Sequence, residues 1–346
     1  MKRKYNYIIA LLVAISFSLA ATAQETSRRF SKSWPVSEVE TLGIINKFGE
    51  VKISDRGGSQ VTIEVVVTVE GLESRAKALL DDITVSFGSM GSKAIAETKI
   101  ASNFKSRGKF SIDYTVNIPA SKNLTITNKF GNVVVQNLTG KGSFDIGYGN
   151  LTAGQLNTPG PDGFRLNLEY GKADVESIKD GRVSLSYSKM FIKSAENVLL
   201  ESKYSTLNID NLNTLRIDSK YDTFNFGKLV SLEGDSKFTN YRIATIEKRL
   251  RLVSGYGNVR VDHIPADFEL IDITSNYAQV SLGIDNNAAY QVYATCDYCS
   301  IDYPQNNFSG NRIKENTRQT IDGKISGGAK GKVKVVSRYG NIKLVK

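Results

Sequence analysis

The stretch from Glu201 to Ile243 reads ESKYSTLNIDNLNTLRIDSKYDTFNFGKLVSLEGDSKFTNYRI. A tripeptide of Ser, Lys and an aromatic residue recurs in it, and the aromatic residues Tyr204, Tyr221 and Phe238 follow one another at intervals of 17 residues. A fixed period of this size is typical of repeat architectures, in which each repeat is one small structural unit. The stretch therefore predicts a repeat protein, and the repeat extends from it in both directions.

The same aromatic position can be followed along most of the chain. The intervals between successive copies are 18, 22, 17, 17, 17, 17, 18, 21, 21 and 41 residues. The aromatic residues of this series are Phe130, Tyr148, Tyr170, Tyr187, Tyr204, Tyr221, Phe238, Tyr256, Tyr277, Tyr298 and Tyr339. An earlier copy at Phe48 is separated from Phe130 by 82 residues, so a segment is inserted between them. The Gly-rich sequence DGKISGGAKGK (322–332) predicts a hairpin in the last interval.

Each repeat contains two short runs of alternating apolar residues with a bend between them. Val198 and Leu200 are two residues apart and would lie on the same face of a strand before the Tyr204 bend, and Leu207 and Ile209 would do so after it. Two such strands cannot bury their apolar face alone, but stacked repeats bury it and pair every strand above and below. The sequence therefore predicts an all-β fold, a parallel β-helix (β-solenoid) with coils of 17–22 residues. A propeller is disfavoured because its blades need about 40 residues.

The residues around the aromatic position predict the structure of the bend. Six copies carry Gly directly after the aromatic residue, which indicates a backbone with positive φ there. A small polar residue lies two positions before the aromatic residue and is predicted to point inward; these residues are Asn46, Asn128, Ser202, Ser219, Ser236, Ser254, Ser275 and Ser337.

The insert and the flanking segments define the predicted domains. Residues 55–119 read as a mixed β segment with one short helix, in which Ser74 is a candidate N-cap. We expect residues 24–119 to hold the first coil and a cap over the open end of the solenoid, with a separate ligand-binding module as the alternative. Residues 24–35 are polar and are expected to be loose. Residues 120–346 are predicted to be solenoid repeats.

The N-terminal residues 1–23 have the features of a secretory signal peptide. Lys2, Arg3 and Lys4 precede an apolar run, and Ala21-Thr22-Ala23 follows it as a cleavage signal. An uncleaved anchor helix is the alternative. No other apolar stretch is long enough to span a bilayer, so we expect an exported protein with no transmembrane segment after cleavage.

The charge of the chain favours anionic partners. The chain has 45 Lys and Arg against 35 Asp and Glu, a net charge of +10, which becomes +7 without Lys2, Arg3 and Lys4 (42 against 35). This balance is spread along the chain and suits lipopolysaccharide, acidic glycans or another anionic envelope component. A nucleic-acid partner is not expected for an exported chain without a basic cluster.

Cysteine and histidine are too few for a metal or catalytic site. Cys296 and Cys299 form the only cysteine pair, and their flanks read as strand, so we expect a structural pair, either a disulfide or two buried thiols. His263 is the only histidine, which disfavours a zinc site and a Ser-His-Asp triad. We therefore predict no catalytic residue, no metal and no cofactor.

One candidate binding surface follows from the repeat itself. The aromatic rings could bind sugars, or they could stack on one another and stabilise the fold. The lysines before them could bind a polyanion, or they could form a solvated face that discourages edge aggregation. The residues of this candidate surface are Tyr187, Tyr204, Tyr221, Lys203, Lys220 and Lys237.

Several segments together resemble a known family. NKFGEVKI (46–53), IDYTVNIP (112–119) and NKFGNVVV (128–135), followed by coils with YGN and SKY, resemble the exported "putative adhesin" β-strand-repeat proteins of Gram-negative bacteria, related to the autotransporter-adhesin head (GIN) domain. The resemblance covers residues 36–346 and implies a right-handed helix, adhesion and no catalytic residues. It implies an envelope location, and both the periplasm and the cell surface or outer membrane stay open.

The sequence thus predicts a non-catalytic envelope-binding or adhesin-like β-solenoid protein that binds a glycan, an anionic envelope component or an envelope protein. Two alternatives remain. The first is a periplasmic sensor or regulatory partner of an envelope-stress system. The second is a glycan-active enzyme, because fold alone does not exclude catalysis.

Overall fold

A computed structural model describes residues 25–106, 108–160, 163–328 and 330–344, and the predicted signal peptide 1–23 lies outside them. The predicted all-β fold is confirmed: the strands of these residues form one continuous sheet that winds into a parallel β-solenoid. They are β1 (Glu25–Pro35), β2 (Thr41–Lys47), β3 (Val51–Ser54), β4 (Gln60–Glu70), β5 (Ile83–Met90), β6 (Lys93–Ile100), β7 (Phe110–Asn117), β8 (Asn123–Lys129), β9 (Val133–Leu138), β10 (Gly142–Gly147), β11 (Asn150–Leu156), β12 (Phe164–Glu169), β13 (Lys172–Ser186), β14 (Lys189–Lys203), β15 (Thr206–Lys220), β16 (Thr223–Lys237), β17 (Asn240–Ser254), β18 (Gly257–Ile264), β19 (Leu270–Asn276), β20 (Ala278–Ile284), β21 (Tyr290–Asp297), β22 (Ile301–Asp302), β23 (Phe308–Glu315), β24 (Arg318–Ile325), β25 (Gly331–Arg338) and β26 (Ile342–Lys343). The helix is α1 (Glu73–Asp81), and 3-10 segments lie at Val36–Glu38 and Gln305–Asn307.

The central coils are the most regular part of the solenoid. From β13 to β17 each strand has 15 residues and pairs in parallel with the next one. The ladder between β13 and β14 omits Glu176 and Lys179, where the strand bends around the core. Each long strand therefore supplies two sides of a coil, and the aromatic residue between consecutive strands makes the remaining corner.

The alternating pattern places one apolar set inside every coil. Leu207, Ile209, Leu212, Leu215 and Ile217 are all buried in β15, and polar residues such as Asp210, Thr214 and Arg216 face solvent between them. Burying such a side chain contributes about 1.5–3 kcal/mol. Because the same columns repeat from coil to coil, a single core runs the length of the molecule.

The first coil of the chain lies inside the stack and not at its end. Strands β2 and β3 pair on one side with β8 and β9, the next coil of the repeat. On the other side they pair in parallel with β6 and β7, which come from the insert. The insert therefore contributes a coil of its own before it closes the end.

Antiparallel strands close this N-terminal end. Strand β4 pairs antiparallel with β7, β1 pairs antiparallel with β4, and β5 pairs antiparallel with β6. The helix was predicted in the right place, but Ser74 is not its N-cap: the cap position is Leu72, which makes no side-chain cap bond. The expectation of a loose segment at 24–35 was wrong, because β1 is an edge strand whose polar face masks the alternation, while Trp34 is buried.

The C-terminal end also contains a coil that is out of sequence order in the stack. Strand β25 lies between β19 and β21, and β26 lies between β20 and β22, although β25 and β26 come later in the sequence than all four. The coil that carries Tyr339 therefore separates the coils of Tyr277 and Tyr298, so the coils at this end are not stacked in the order of the sequence. Pairing depends on register between distant segments, which the order of the repeats does not show.

A hairpin closes this end. Strand β24 pairs antiparallel with β21, and β23 pairs antiparallel with β24. A hairpin was predicted from the Gly-rich sequence 322–332, but the turn lies near Asn316, which has a φ of 47°. The Gly-rich residues instead connect β24 to β25.

Candidate functional site

The aromatic residues of the repeat form one continuous row, here called the aromatic corner. Among the described residues it contains twelve rings joined by eleven stacked contacts, with centroids 4.6–5.1 Å apart and planes within 16° of parallel. In spatial order the rings are Phe48, Phe130, Tyr148, Tyr170, Tyr187, Tyr204, Tyr221, Phe238, Tyr256, Tyr277, Tyr339 and Tyr298. The spacing matches the roughly 4.8 Å between paired strands, so the backbone sets the stack.

The stack decides which part of a ring is available to a ligand. Tyr187, Tyr204 and Tyr221 each have a ring on both faces, at 4.8–5.0 Å, yet each remains 48–49% exposed. The exposed parts are therefore the ring edges and the phenolic hydroxyl groups. A sugar cannot stack on these faces, but it can accept or donate hydrogen bonds along the row of hydroxyls.

The backbone turns at the aromatic residue itself. Eleven of the twelve aromatic residues, all except Tyr256, have φ between 50° and 63°. The prediction placed positive φ at the following Gly; this holds at Gly257, which has a φ of 120°, and is wrong in the other five coils that carry Gly there. Gly is needed there for close approach: a Cβ at Gly149 would overlap the carbonyl oxygen of Gly131 in the preceding coil, and one at Gly171 would overlap that of Gly149.

Four coils replace this glycine with a buried polar side chain, which forms a ladder inside the corner. The Gly171 N–H donates to Ser188 Oγ at 3.2 Å, the Ser188 N–H to Ser205 Oγ at 3.0 Å, and the Ser205 N–H to Asp222 Oδ1 at 2.7 Å. Each backbone donor is thus satisfied by the side chain of the following coil. The small polar residues two positions before the aromatic residue are buried, as predicted.

Asp222 is the one carboxylate in this ladder. Its Oδ2 accepts hydrogen bonds from the Ser219 hydroxyl at 2.7 Å and from the Lys220 N–H at 3.1 Å. Burial raises the pKa of the Asp222 carboxyl above its ordinary value of 3.8, and these hydrogen bonds only partly offset the loss of water. The group is enclosed by the corner, so it has a structural role and does not face a ligand.

The lysines of the candidate surface form a column, as the repeat indicated. Lys203, Lys220 and Lys237 lie directly beside one another in consecutive strands. A parallel column of Glu201, Asp218 and Asp235 lies two residues earlier on the same face. The carboxylates reduce the potential of the lysines, which weakens the column as a polyanion site.

Two open grooves, each of about 600 Å³, lie on the outside of the solenoid. The first lies on the side formed by strand segments that precede the aromatic residue, and it carries both signs of charge. Arg216 and Glu233 form an ion pair of 3.0 Å there, and Asp235, Arg251 and Asp272 lie beside them. This groove is largely neutralised by its own side chains.

The second groove lies on the opposite side of the aromatic corner, on strand segments that follow the aromatic residue. This side is called the first-strand face. This groove was not predicted from the sequence. Its outward side chains are Thr223, Asn225, Asn240, Arg242, Asn258, Arg260, Gln279 and Ser281. A signal existed: Arg242 and Arg260 each lie four residues after their aromatic residue, so the repeat places them side by side.

The cysteine pair is a disulfide. Cys296 and Cys299 flank Tyr298 and are bonded to each other. They hold the two positions that Ser219 and Asp222 hold around Tyr221. In the coil that carries Tyr298, the disulfide takes the place of the hydrogen bond that links these positions in an inner coil.

No group of three or more His, Cys, Asp or Glu side chains in the described ranges is arranged to hold a metal ion. In the same ranges, no helix has the length and apolar character that crossing a membrane requires.

The chain is similar to several solved structures at low sequence identity, of which three are described. A putative cell adhesion protein from Clostridium sporogenes has 10% identity and a TM-score of 0.24, over 92% of this chain and 99% of that one. A putative adhesin from Parabacteroides merdae has 10% identity and a TM-score of 0.29, over 75% and 92%. A putative lipid binding protein from Parabacteroides distasonis has 11% identity and a TM-score of 0.29, over 92% and 97%.

No family model and no curated protein matches the chain. The three structures superpose poorly at these TM-scores, so their names carry no argument about this protein.

Proposed function

We propose that this protein is a non-catalytic, adhesin-like binding protein of the cell envelope, and that it holds a glycan or another anionic envelope polymer against the outside of its solenoid. The observation that supports this most directly is the length and regularity of the aromatic corner. The same exposed ring edge recurs in coil after coil at 4.6–5.1 Å. Such a surface suits a polymer better than a small molecule, because a polymer meets the same groups repeatedly.

The candidate contact groups on this corner are the phenolic hydroxyls and the neighbouring ammonium groups. Tyr187, Tyr204 and Tyr221 offer hydroxyl groups that both donate and accept hydrogen bonds. Lys203, Lys220 and Lys237 add positive charge, reduced by the acidic column beside them. The envelope location rests on the signal peptide predicted at residues 1–23, and the relation to the GIN domain rests on the sequence resemblance alone.

The proposal is tested with an array of glycans and envelope components, probed with the chain after signal removal. We expect salt-sensitive binding to acidic glycans or lipopolysaccharide. Replacing Tyr187, Tyr204 and Tyr221 together by Phe removes the hydroxyls and leaves the stack intact, so a loss of binding without a change in melting temperature would assign the corner as a contact surface.

Two outcomes would overturn the proposal. A blank array, with an envelope protein captured from extract, would replace the polymer by a protein partner and favour the regulatory alternative. Release of new reducing ends from any bound glycan would show catalysis.

A further inference from the structure

We propose that the groove on the first-strand face is a binding site for an acidic glycan, in which Arg242 and Arg260 hold the anionic groups and side-chain amides hold the hydroxyl groups. This inference rests on the proposed function and gives it a site and a class of ligand. It concerns a different surface from the lysine column, which lies on the other side of the aromatic corner.

The two arginines are neighbours by register. Arg242 in β17 pairs directly with Arg260 in β18, so their side chains leave adjacent strands about 4.8 Å apart on the same face. Arg260 Nε donates to Asp262 at 2.6 Å, which leaves its terminal nitrogens for another acceptor. Within the described ranges Arg242 makes no ion pair. Positive charges carried on adjacent strands repel each other, and an anion bound across both side chains would relieve this repulsion.

The rest of the groove contains no carboxylate among its described lining residues. This separates it from the groove on the other face, where acids and bases alternate and pair. The charge of Arg242 is therefore available, and that of Arg260 is neutralised only by Asp262 at one nitrogen. The guanidinium group of an arginine can donate two parallel hydrogen bonds to two oxygens of one carboxylate or sulfate group.

Amide side chains surround the arginines. Asn225 lies beside Arg242 in the ladder, and Asn240 lies beside Asn258, whose Nδ2 is 3.4 Å from Asn240 Oδ1. A side-chain amide offers both a donor and an acceptor, which is the pairing that vicinal hydroxyl groups of a sugar require. Gln279 continues the same row in the next coil.

The floor and the walls of the groove favour a saccharide over a lipid. The apolar residues Phe224, Tyr241 and Val259 point into the core and are buried. The side chains that face outward are amides, hydroxyls or arginines, so an acyl chain would find no apolar surface. The ligand that fits is polyhydroxylated and negatively charged.

The test measures binding of the purified chain, after signal removal, to three polymers: polygalacturonate, dextran sulfate and uncharged dextran. We expect binding to one or both charged polymers and none to dextran, and the two charged arms distinguish carboxylate from sulfate. The double variant Arg242→Gln/Arg260→Gln should weaken this binding at least about tenfold, because it removes two charge-assisted contacts.

A matched control keeps the charge change equal. Arg75→Gln/Lys314→Gln also removes two positive charges, at exposed positions that line neither groove, and we expect it to weaken binding by less than about threefold at moderate salt. Melting temperatures of all variants should agree with that of the parent, and Arg242→Lys/Arg260→Lys should retain part of the binding. Both arginines point outward, so folding should tolerate the changes.

Each remaining outcome is decisive. Parent-level binding by the arginine variant, or a larger loss in the control variant, overturns this site and leaves the proposed function standing. Equal binding to uncharged dextran overturns the anionic class of ligand. No binding of the parent chain to any of the three polymers overturns this inference, and a blank array overturns the proposed function as well.

Discussion

The first four coils and the next four turn the aromatic corner in two different ways. In the first four, Gly follows the aromatic residue, and the backbones of adjacent coils meet there directly; these residues are Gly49, Gly131, Gly149 and Gly171. In the next four, the same position carries a buried polar side chain. These side chains form the ladder in which a backbone N–H of one coil donates a hydrogen bond to the side chain of the following coil; they belong to Ser188, Ser205, Asp222 and Thr239.

The spacing of the rings on the outside of the corner is the same in both sets of coils. The rings of Tyr148 and Tyr170 are 4.8 Å apart in the glycine coils, and those of Tyr187 and Tyr204 are also 4.8 Å apart in the polar coils. The αL residue and its ring therefore define the corner, while its interior can be filled by backbone or by side chains. We expect that the two fillings cannot be exchanged one residue at a time, because a side chain at a glycine position would meet the backbone of the adjacent coil.

The strongest way to break this comparison is Gly149→Ala. The new Cβ would overlap the Gly131 carbonyl oxygen, and backbone cannot move aside as a flexible side chain can. We expect a loss of about 3 kcal/mol in the free energy of unfolding, measured by urea denaturation. Gly57→Ala is the control, since its Cβ meets nothing within 4 Å. A loss below about 1 kcal/mol would mean that the glycine coils can shift to the polar arrangement.

Substitutions at Tyr204 separate ring stacking from backbone strain. Tyr204→Ala removes two stacked contacts, worth about 0.5–1.5 kcal/mol each, and keeps the positive φ of 53°. Tyr204→Gly removes the same contacts but relieves about 1 kcal/mol of αL strain, so it should melt above Tyr204→Ala. Tyr204→Phe should match the parent. Equal melting of all three variants would show that the row does not stabilise the fold.

The disulfide between Cys296 and Cys299 is a third way in which the interior of the corner is filled. Reduction, or Cys296→Ser/Cys299→Ser, should lower the free energy of unfolding by about 2 kcal/mol from the lost loop constraint. The effect should be confined to the end of the stack, which amide exchange of β21 and β18 can locate. Equal urea midpoints with and without reductant would contradict a stabilising role.

The smallest effect is expected at Asp222, and it depends on pH. Its folded-state pKa lies above 3.8, so the folded state holds the proton more tightly and stability is lost as pH rises through that raised value. Asp222→Ser, which copies Ser188 and Ser205, should therefore be more stable than the parent at pH 7. The gain should be smaller than the loss at the disulfide.

The pH dependence supplies the check on Asp222. The advantage of Asp222→Ser over the parent should disappear below pH 3.8, where the carboxyl is protonated in both states. Asp222→Asn, neutral and of the same shape, should show the same trend. If the difference in the free energy of unfolding between parent and variant stays constant from pH 3 to pH 7, burial of the charge is not its cause.

The repeat was readable because it is local. The aromatic period, the inward Ser and Asn row and the alternating strands follow from residues within one coil, and all three are confirmed. The site of positive φ was misplaced in five of the six coils that carry Gly after the aromatic residue, because glycine signals either a positive φ or a close approach, and only the neighbouring coil decides between them. The edge strand β1 was missed because one of its faces stays in water.

The candidate surface was predicted less well than the fold. The column of Lys203, Lys220 and Lys237 follows from the period, but the acidic column beside it reduces its field. The stacking that makes the tyrosines regular also closes their faces to sugars. The groove with Arg242 and Arg260 was not found, because a single exposed arginine per coil is unremarkable until register places two of them together.

The inserted coil formed by β25 and β26 has a consequence for how the chain reaches its native state. A solenoid whose coils stack in sequence order can grow like a zipper as the chain emerges, each new coil docking on the last. Here β21 and β22 cannot take their final places until a later segment has arrived to separate them from β19 and β20. Completion of that end must therefore wait for residues 331–343, which makes it a late, non-local step in folding.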